Sequence, residues 1–127
     1  MRLIKQRNGR DCGLCVAAML TDRSYEAVLA DNCNYQDQTD QEWIDYIRSL
    51  GFLVRRTKLI RPGHRYFCVI GLETEDDPRS SHAIALDEQR RVFDPSSRAP
   101  DPGVLPVEWY ASKPRRLGYV HRVEPKV

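Results

Sequence analysis

Apolar positions recur at helical spacing up to Leu50 and alternate with polar ones after Gly51. The polar, Gly-containing stretch Gln6-Arg7-Asn8-Gly9-Arg10-Asp11 breaks at Cys12-Gly13 into strong helix formers, which predicts a first helix from Cys12 to Leu20. Thr21-Asp22-Arg23-Ser24 interrupts it and offers a cap for a short second helix, Tyr25 to Ala30, with Tyr25, Val28 and Leu29 on one face. Asp31-Asn32-Cys33-Asn34 closes that element. Thr39-Asp40-Gln41-Glu42 has the form of a capping box, opening a third helix whose apolar stripe is Trp43, Ile44, Ile47 and Leu50, with Gly51 as a left-handed stop.

Past Gly51 the reading is of strands. Phe52 to Leu59 and Tyr66 to Leu72 suit a hairpin turned by Arg61-Pro62-Gly63-His64, and Glu73 to Ser80 is a charged loop. His82 to Leu86 alternates as a half-buried strand, followed by a turn at Asp87 to Arg90, a short strand at Arg91 to Phe93, a loop from Ser96 to Pro106 and a last strand at Leu117 to Val123. Arg2 to Lys5 is expected as one more short strand. Helices first and strands afterwards give an α+β domain, with N-terminal helices packed on an antiparallel sheet and residues 1–127 forming one unit.

Charge and composition narrow the function classes. Twenty basic and 18 acidic residues leave a net charge of +2, which names no partner. No stretch approaches the roughly 18 consecutive apolar residues of a membrane span, and Met1 to Gln6 lacks the apolar core of a signal peptide. A cytoplasmic protein without membrane contact is expected, and its four unevenly spaced cysteines are expected to be reduced.

The chemistry concentrates on Cys12. A thiol on the first turn of a helix meets unpaired N–H groups and the positive dipole end, both of which favour the nucleophilic thiolate. Ser81-His82-Ala83-Ile84-Ala85-Leu86 supplies a His at the start of a strand, and Val92-Phe93-Asp94-Pro95 an Asp at the end of the next. Such groups converge in space although distant in sequence. Each has a plainer reading: Cys12 as a small buried hydrophobe, Gln6 as a surface amide, Asp94 as a turn residue before Pro95. His64 follows Pro-Gly in a turn, where a solvated imidazole is expected. His121 lies on the last strand, with Glu124 as the carboxylate that follows it.

Gln6, then Asp-Cys-Gly, an Ala-rich helix ending in Met-Leu, and a later His-Ala-Ile-Ala-Leu followed by Asp-Pro together resemble the papain-like cysteine peptidases. Within them the chain is most similar to the family that removes double-glycine leader peptides from bacteriocins, and to its stand-alone relatives. The resemblance implies a papain-like fold and a peptide or protein substrate. It also implies Cys12 as nucleophile, His82 as base, Asp94 as the group orienting the imidazole, and Gln6 with the Cys12 backbone N–H as oxyanion donors. No cofactor or metal is implied. No transporter region accompanies the motifs, so leader specificity does not carry over, and the oligomeric state is open. Small domains of this kind also serve as deamidases, acyltransferases or inactive interaction modules.

The residues leave other readings open. Cys12-Gly13-Leu14-Cys15 has the spacing of a thiol–disulfide oxidoreductase, although a polar loop precedes it where such domains carry a buried strand. Cys12, Cys15, His64 and Cys68 are a conceivable zinc set with long spacing between pairs. Arg55, Arg56, Lys58, Arg61 and Arg65, with Arg90, Arg91, Lys113, Arg115 and Arg116, suggest nucleic acid. Acidic residues elsewhere nearly cancel them and no stacking motif accompanies them, which favours solvated strand edges, with a patch for an acidic protein partner as the other reading. Asp11 is a candidate helix cap whose charge opposes thiolate formation.

Overall fold

A computed structural model of the chain describes residues 1–72, 80–96, 99, 103–108 and 115–125. Helix α1 (Cys12–Thr21) is its axis: every residue after Cys12 is buried. A helix apolar on all sides must be covered on all sides. Helices α2 (Tyr25–Asp31) and α3 (Asp40–Ser49) flank it, and the sheet lies beneath. Ser24 caps α2 through the Ala27 N–H, and Thr39 and Glu42 form the expected capping box on α3. Gly51 takes the left-handed φ of 95° that ends the third helix.

Among the described residues six antiparallel strands form one sheet: β1 (Phe52–Arg56), β2 (Arg65–Leu72), β3 (Ser80–Leu86), β4 (Arg91–Phe93), β5 (Val104–Pro106) and β6 (Arg115–Pro125). Their order is β1-β6-β2-β3-β4-β5. The fold is α+β, as the order of elements in the sequence implies. Alternation along the strands divides the core in two. Val54, Phe67, Val69, Ala83, Ala85, Phe93 and Val123 meet the helices. Tyr66, Cys68, Ile70, Ile84, Leu86 and Val92 form a second apolar layer with Val107. The two alanines of β3 are small enough to admit α1 closely, which brings the start of that helix beside the strand carrying His82.

Three expectations are corrected. β1 and β2 do not form a hairpin, because β6 returns between them, pairing Val54 with Val123 on one side and Phe67 with His121 on the other. The turn at Gly63 is real, with φ of 89°, but the strand before it stops at Arg56, and residues 57–64 cross the extra strand instead of reversing directly. Arg2 to Lys5 forms no strand; Leu3 and Ile4 pack against the helix-side core. The segment taken as a loop through Pro106 contains β5, which pairs Val104 with Phe93 at the sheet edge, where a proline is tolerated. The loop expected at Glu73 to Ser80 lies, up to residue 79, outside the described residues.

Candidate active site

The loop before α1 is held by the residue that ends it. Asp11 is wholly buried, and its Oδ2 accepts from the Arg7 N–H and the Tyr25 hydroxyl, each at 2.8 Å. Its Oδ1 accepts the Asn8 N–H at 3.3 Å, and the Cys15 thiol donates to Oδ2 at 4.0 Å. Asp11 stands at the N-cap position of α1 but makes no side-chain cap there, so the capping role open to it from the sequence is not taken up. It bonds backward, because a buried carboxylate must find donors, and two loop N–H groups with the Tyr25 hydroxyl provide them. The Arg7 guanidinium stacks on the Tyr25 ring at 3.8 Å and pairs with Glu26 at 2.6 Å, so the loop is fastened by side chain as well as backbone.

Cys12 is the first residue of α1 and is half-buried. The pairings of Ala85 with Phe93 and Leu86 with Val92 run the chain after β4 back along the start of β3. That antiparallel register brings Asp94 to His82. His82 Nε2 lies 2.6 Å from Asp94 Oδ1 in a buried contact. The same oxygen accepts the Ser96 N–H at 2.9 Å, so turn formation and contact with His82 are combined in one carboxylate. Burial alone would lower the His82 pKa. Hydrogen bonds that the imidazolium donates to Asp94 and Cys12, with the charges of both, more than reverse this and raise it to about 9. With Nε2 committed to Asp94, Nδ1 is the ring nitrogen left for the sulfur.

Gln6 is anchored beside this group: its backbone N–H donates to the Pro95 carbonyl at 2.8 Å. The neighbouring Lys5 ammonium donates to the Ser96 carbonyl at 3.1 Å. The Gln6 side-chain amide donates to the Asn8 carbonyl at 3.1 Å, and a second amide N–H remains on the same nitrogen. All four sequence-selected residues thus lie on segments that meet at the mouth of α1.

The other histidines are elsewhere. His64 Nδ1 is 3.1 Å from Glu124 Oε1, so its imidazole is paired with a carboxylate where a solvated ring was expected. His121 is held below its ordinary value by burial and then by Arg56 and Arg48. The dithiol reading fares poorly. Cys15 is fully buried, and burial followed by the Asp11 and Cys12 charges raises its thiol far above the usual range. Cys68 belongs to the second apolar layer, away from Cys15 in the first, and among the described residues no three His, Cys, Asp or Glu groups are arranged to hold a metal. Of the basic residues, Arg65 is engaged by Asp22 at 2.9 Å and Glu88 at 2.6 Å, and Arg91 by Asp87 at 2.8 Å. Among the described residues no helix is long and apolar enough to cross a membrane.

Sequence reasoning gave Asp11 no definite part and read Tyr25 only as apolar. The signal was there in principle: an acid preceding an apolar helix, and a tyrosine at the start of the next, each carrying a polar group into the core. No protein-family model matches the chain, and no curated protein matches it significantly.

Proposed function

We propose that the chain is a papain-like cysteine peptidase that cleaves a peptide or isopeptide bond. The observation that supports this most is the buried 2.6 Å contact of His82 Nε2 with Asp94 Oδ1 on an imidazole that also interacts with Cys12. An α+β arrangement with the sulfur at a helix start, the His near the start of β3 and the Asp just past β4 agrees with the fold this chemistry uses. In the mechanism, the Cys12 sulfur attacks the scissile carbonyl carbon and the carbonyl oxygen takes up negative charge. The Cys12 N–H, which has no intrahelical partner at the first position of α1, and the Gln6 amide stabilise that charge. The His82 imidazolium then gives its proton to the departing amine, leaving a thioester. Water, deprotonated by the now neutral imidazole, releases the acid and restores the sulfur. Asp94 keeps the ring oriented and stabilises its cationic form. Four unpaired cysteines suit a reducing compartment such as the cytoplasm.

Peptides from a whole-proteome digest, incubated with wild type and with Cys12→Ala, test the reading by mapping new termini by mass spectrometry. Termini produced by the wild type and missing with the variant are expected. The same termini from both proteins would overturn it.

A further inference from the structure

The bonds around Asp11 form a relay that ends on Gln6. The Asp11 carboxylate fixes the Asn8 N–H at 3.3 Å, and the carbonyl of that same residue holds the Gln6 amide at 3.1 Å. Arg7, between them, is fixed to Asp11 through its backbone at 2.8 Å and to the Tyr25 ring through its guanidinium at 3.8 Å. Tyr25 closes the circuit by donating to Asp11 at 2.8 Å. Asp11 also directly precedes Cys12, so one buried side chain sets the loop bearing Gln6 relative to the helix bearing the sulfur.

A wholly buried carboxylate directly precedes the nucleophile, and its hydrogen bonds come from the Tyr25 hydroxyl and from the loop bearing Gln6. Its location is explained if it pre-organises the oxyanion donor. We propose that Asp11, supported by Tyr25, is a positioning residue: through Asn8 it orients the Gln6 amide so that one N–H is tied down and the other is presented to the oxyanion. This rests on the cysteine-peptidase reading and adds to it a residue that touches neither substrate nor sulfur in the reaction.

The test compares two reactions of the same sulfur in wild type, Asp11→Asn and Tyr25→Phe. Iodoacetamide alkylates by displacement: the S–C bond forms, iodide leaves, and no oxyanion arises. p-Nitrophenyl acetate acylates through a tetrahedral oxyanion: the S–C bond forms, p-nitrophenolate leaves and a thioester remains. In Asp11→Asn, acylation is expected to fall about tenfold to a hundredfold, on the scale of losing part of an oxyanion donor. Alkylation should hold within about threefold, because displacement of iodide develops no oxyanion for the Gln6 amide to stabilise. Tyr25→Phe keeps the ring under Arg7 and removes one bond to Asp11. It should show the same split at smaller amplitude, which covers the case in which Asp11→Asn fails to fold. An unchanged ratio of acylation to alkylation in the folded variants would overturn the positioning role while leaving the nucleophile intact. Equally slow alkylation of Cys12 and Cys33 in the wild type would overturn the peptidase reading and the relay with it.

Discussion

His82 Nε2 and Asp94 Oδ1 lie 2.6 Å apart although one residue sits on β3 and the other just past the end of β4, and both side chains are almost wholly withdrawn from water. A carboxylate in that position fixes the ring plane and favours its cation. Asp94→Asn retains the volume and removes the charge, so kcat/KM against a cleaved peptide should fall by roughly 10² to 10⁴, with the His82 pKa dropping from about 9 towards the ordinary histidine value. Steady-state kinetics together with NMR titration of the imidazole check both parts. Undiminished turnover in Asp94→Asn would reduce the contact to a structural one.

The raised His82 pKa also makes stability depend on pH. Since the folded value exceeds the unfolded one, the contribution is fully present below about 6.5 and is lost as pH rises through about 9. Urea midpoints of wild type should therefore fall between those limits relative to those of His82→Gln, by an amount worth at most a few kcal/mol. Parallel curves for the two proteins would contradict this. In the same titration His121 should lose its proton below the ordinary histidine value, the opposite direction from His82.

Thiol accessibility separates hydrolytic from redox chemistry. Cys12 is half-buried and Cys33 exposed, whereas Cys15 and Cys68 are enclosed. Native protein treated with an aromatic disulfide reagent should release the equivalents of Cys12 and Cys33 alone, and denatured protein those of all four cysteines. Recovery of an intramolecular Cys12–Cys15 disulfide from native protein under mild oxidation would favour an oxidoreductase.

Gly13 tests how the nucleophile's helix is seated. A Cβ there would lie 2.4 Å from Trp43 Nε1, and the indole is too enclosed to yield without disturbing α3. Gly13→Ala should therefore destabilise the fold by about 1–3 kcal/mol, even though alanine is the better helix former by about 1 kcal/mol. Combining it with Trp43→Phe should recover part of the loss in denaturant melts, because the two sites share one contact. Additive losses would show that the clash is relieved elsewhere.

Local chemistry made the helical half of the chain readable. Thr39 and Glu42 lie three residues apart and interact across one turn, and Gly51 has the freedom a left-handed stop needs. The sheet was harder to read, since alternation along a strand says which face a residue takes and nothing about which strand lies beside it. The arrival of β6 between β1 and β2 is settled by pairings such as Val54 with Val123, far apart in sequence. At the site, Cys12, His82 and Asp94 stood out because each occupies an element end where its chemistry is conspicuous. Asp11 did not, because its partners are backbone N–H groups and a tyrosine hydroxyl, which no spacing of residue types reveals.

Alkylation of Cys12 by iodoacetamide, followed peptide by peptide near neutral pH in wild type and His82→Gln, reads the sulfur–imidazole pair without requiring a known substrate. Labelling of Cys12 about tenfold or more ahead of Cys33 is expected in the wild type, with the lead lost in the variant, since the thiolate is the reacting species and the imidazolium sustains it. Slow, equal labelling of the two cysteines in wild type, or a lead that survives His82→Gln, would contradict it.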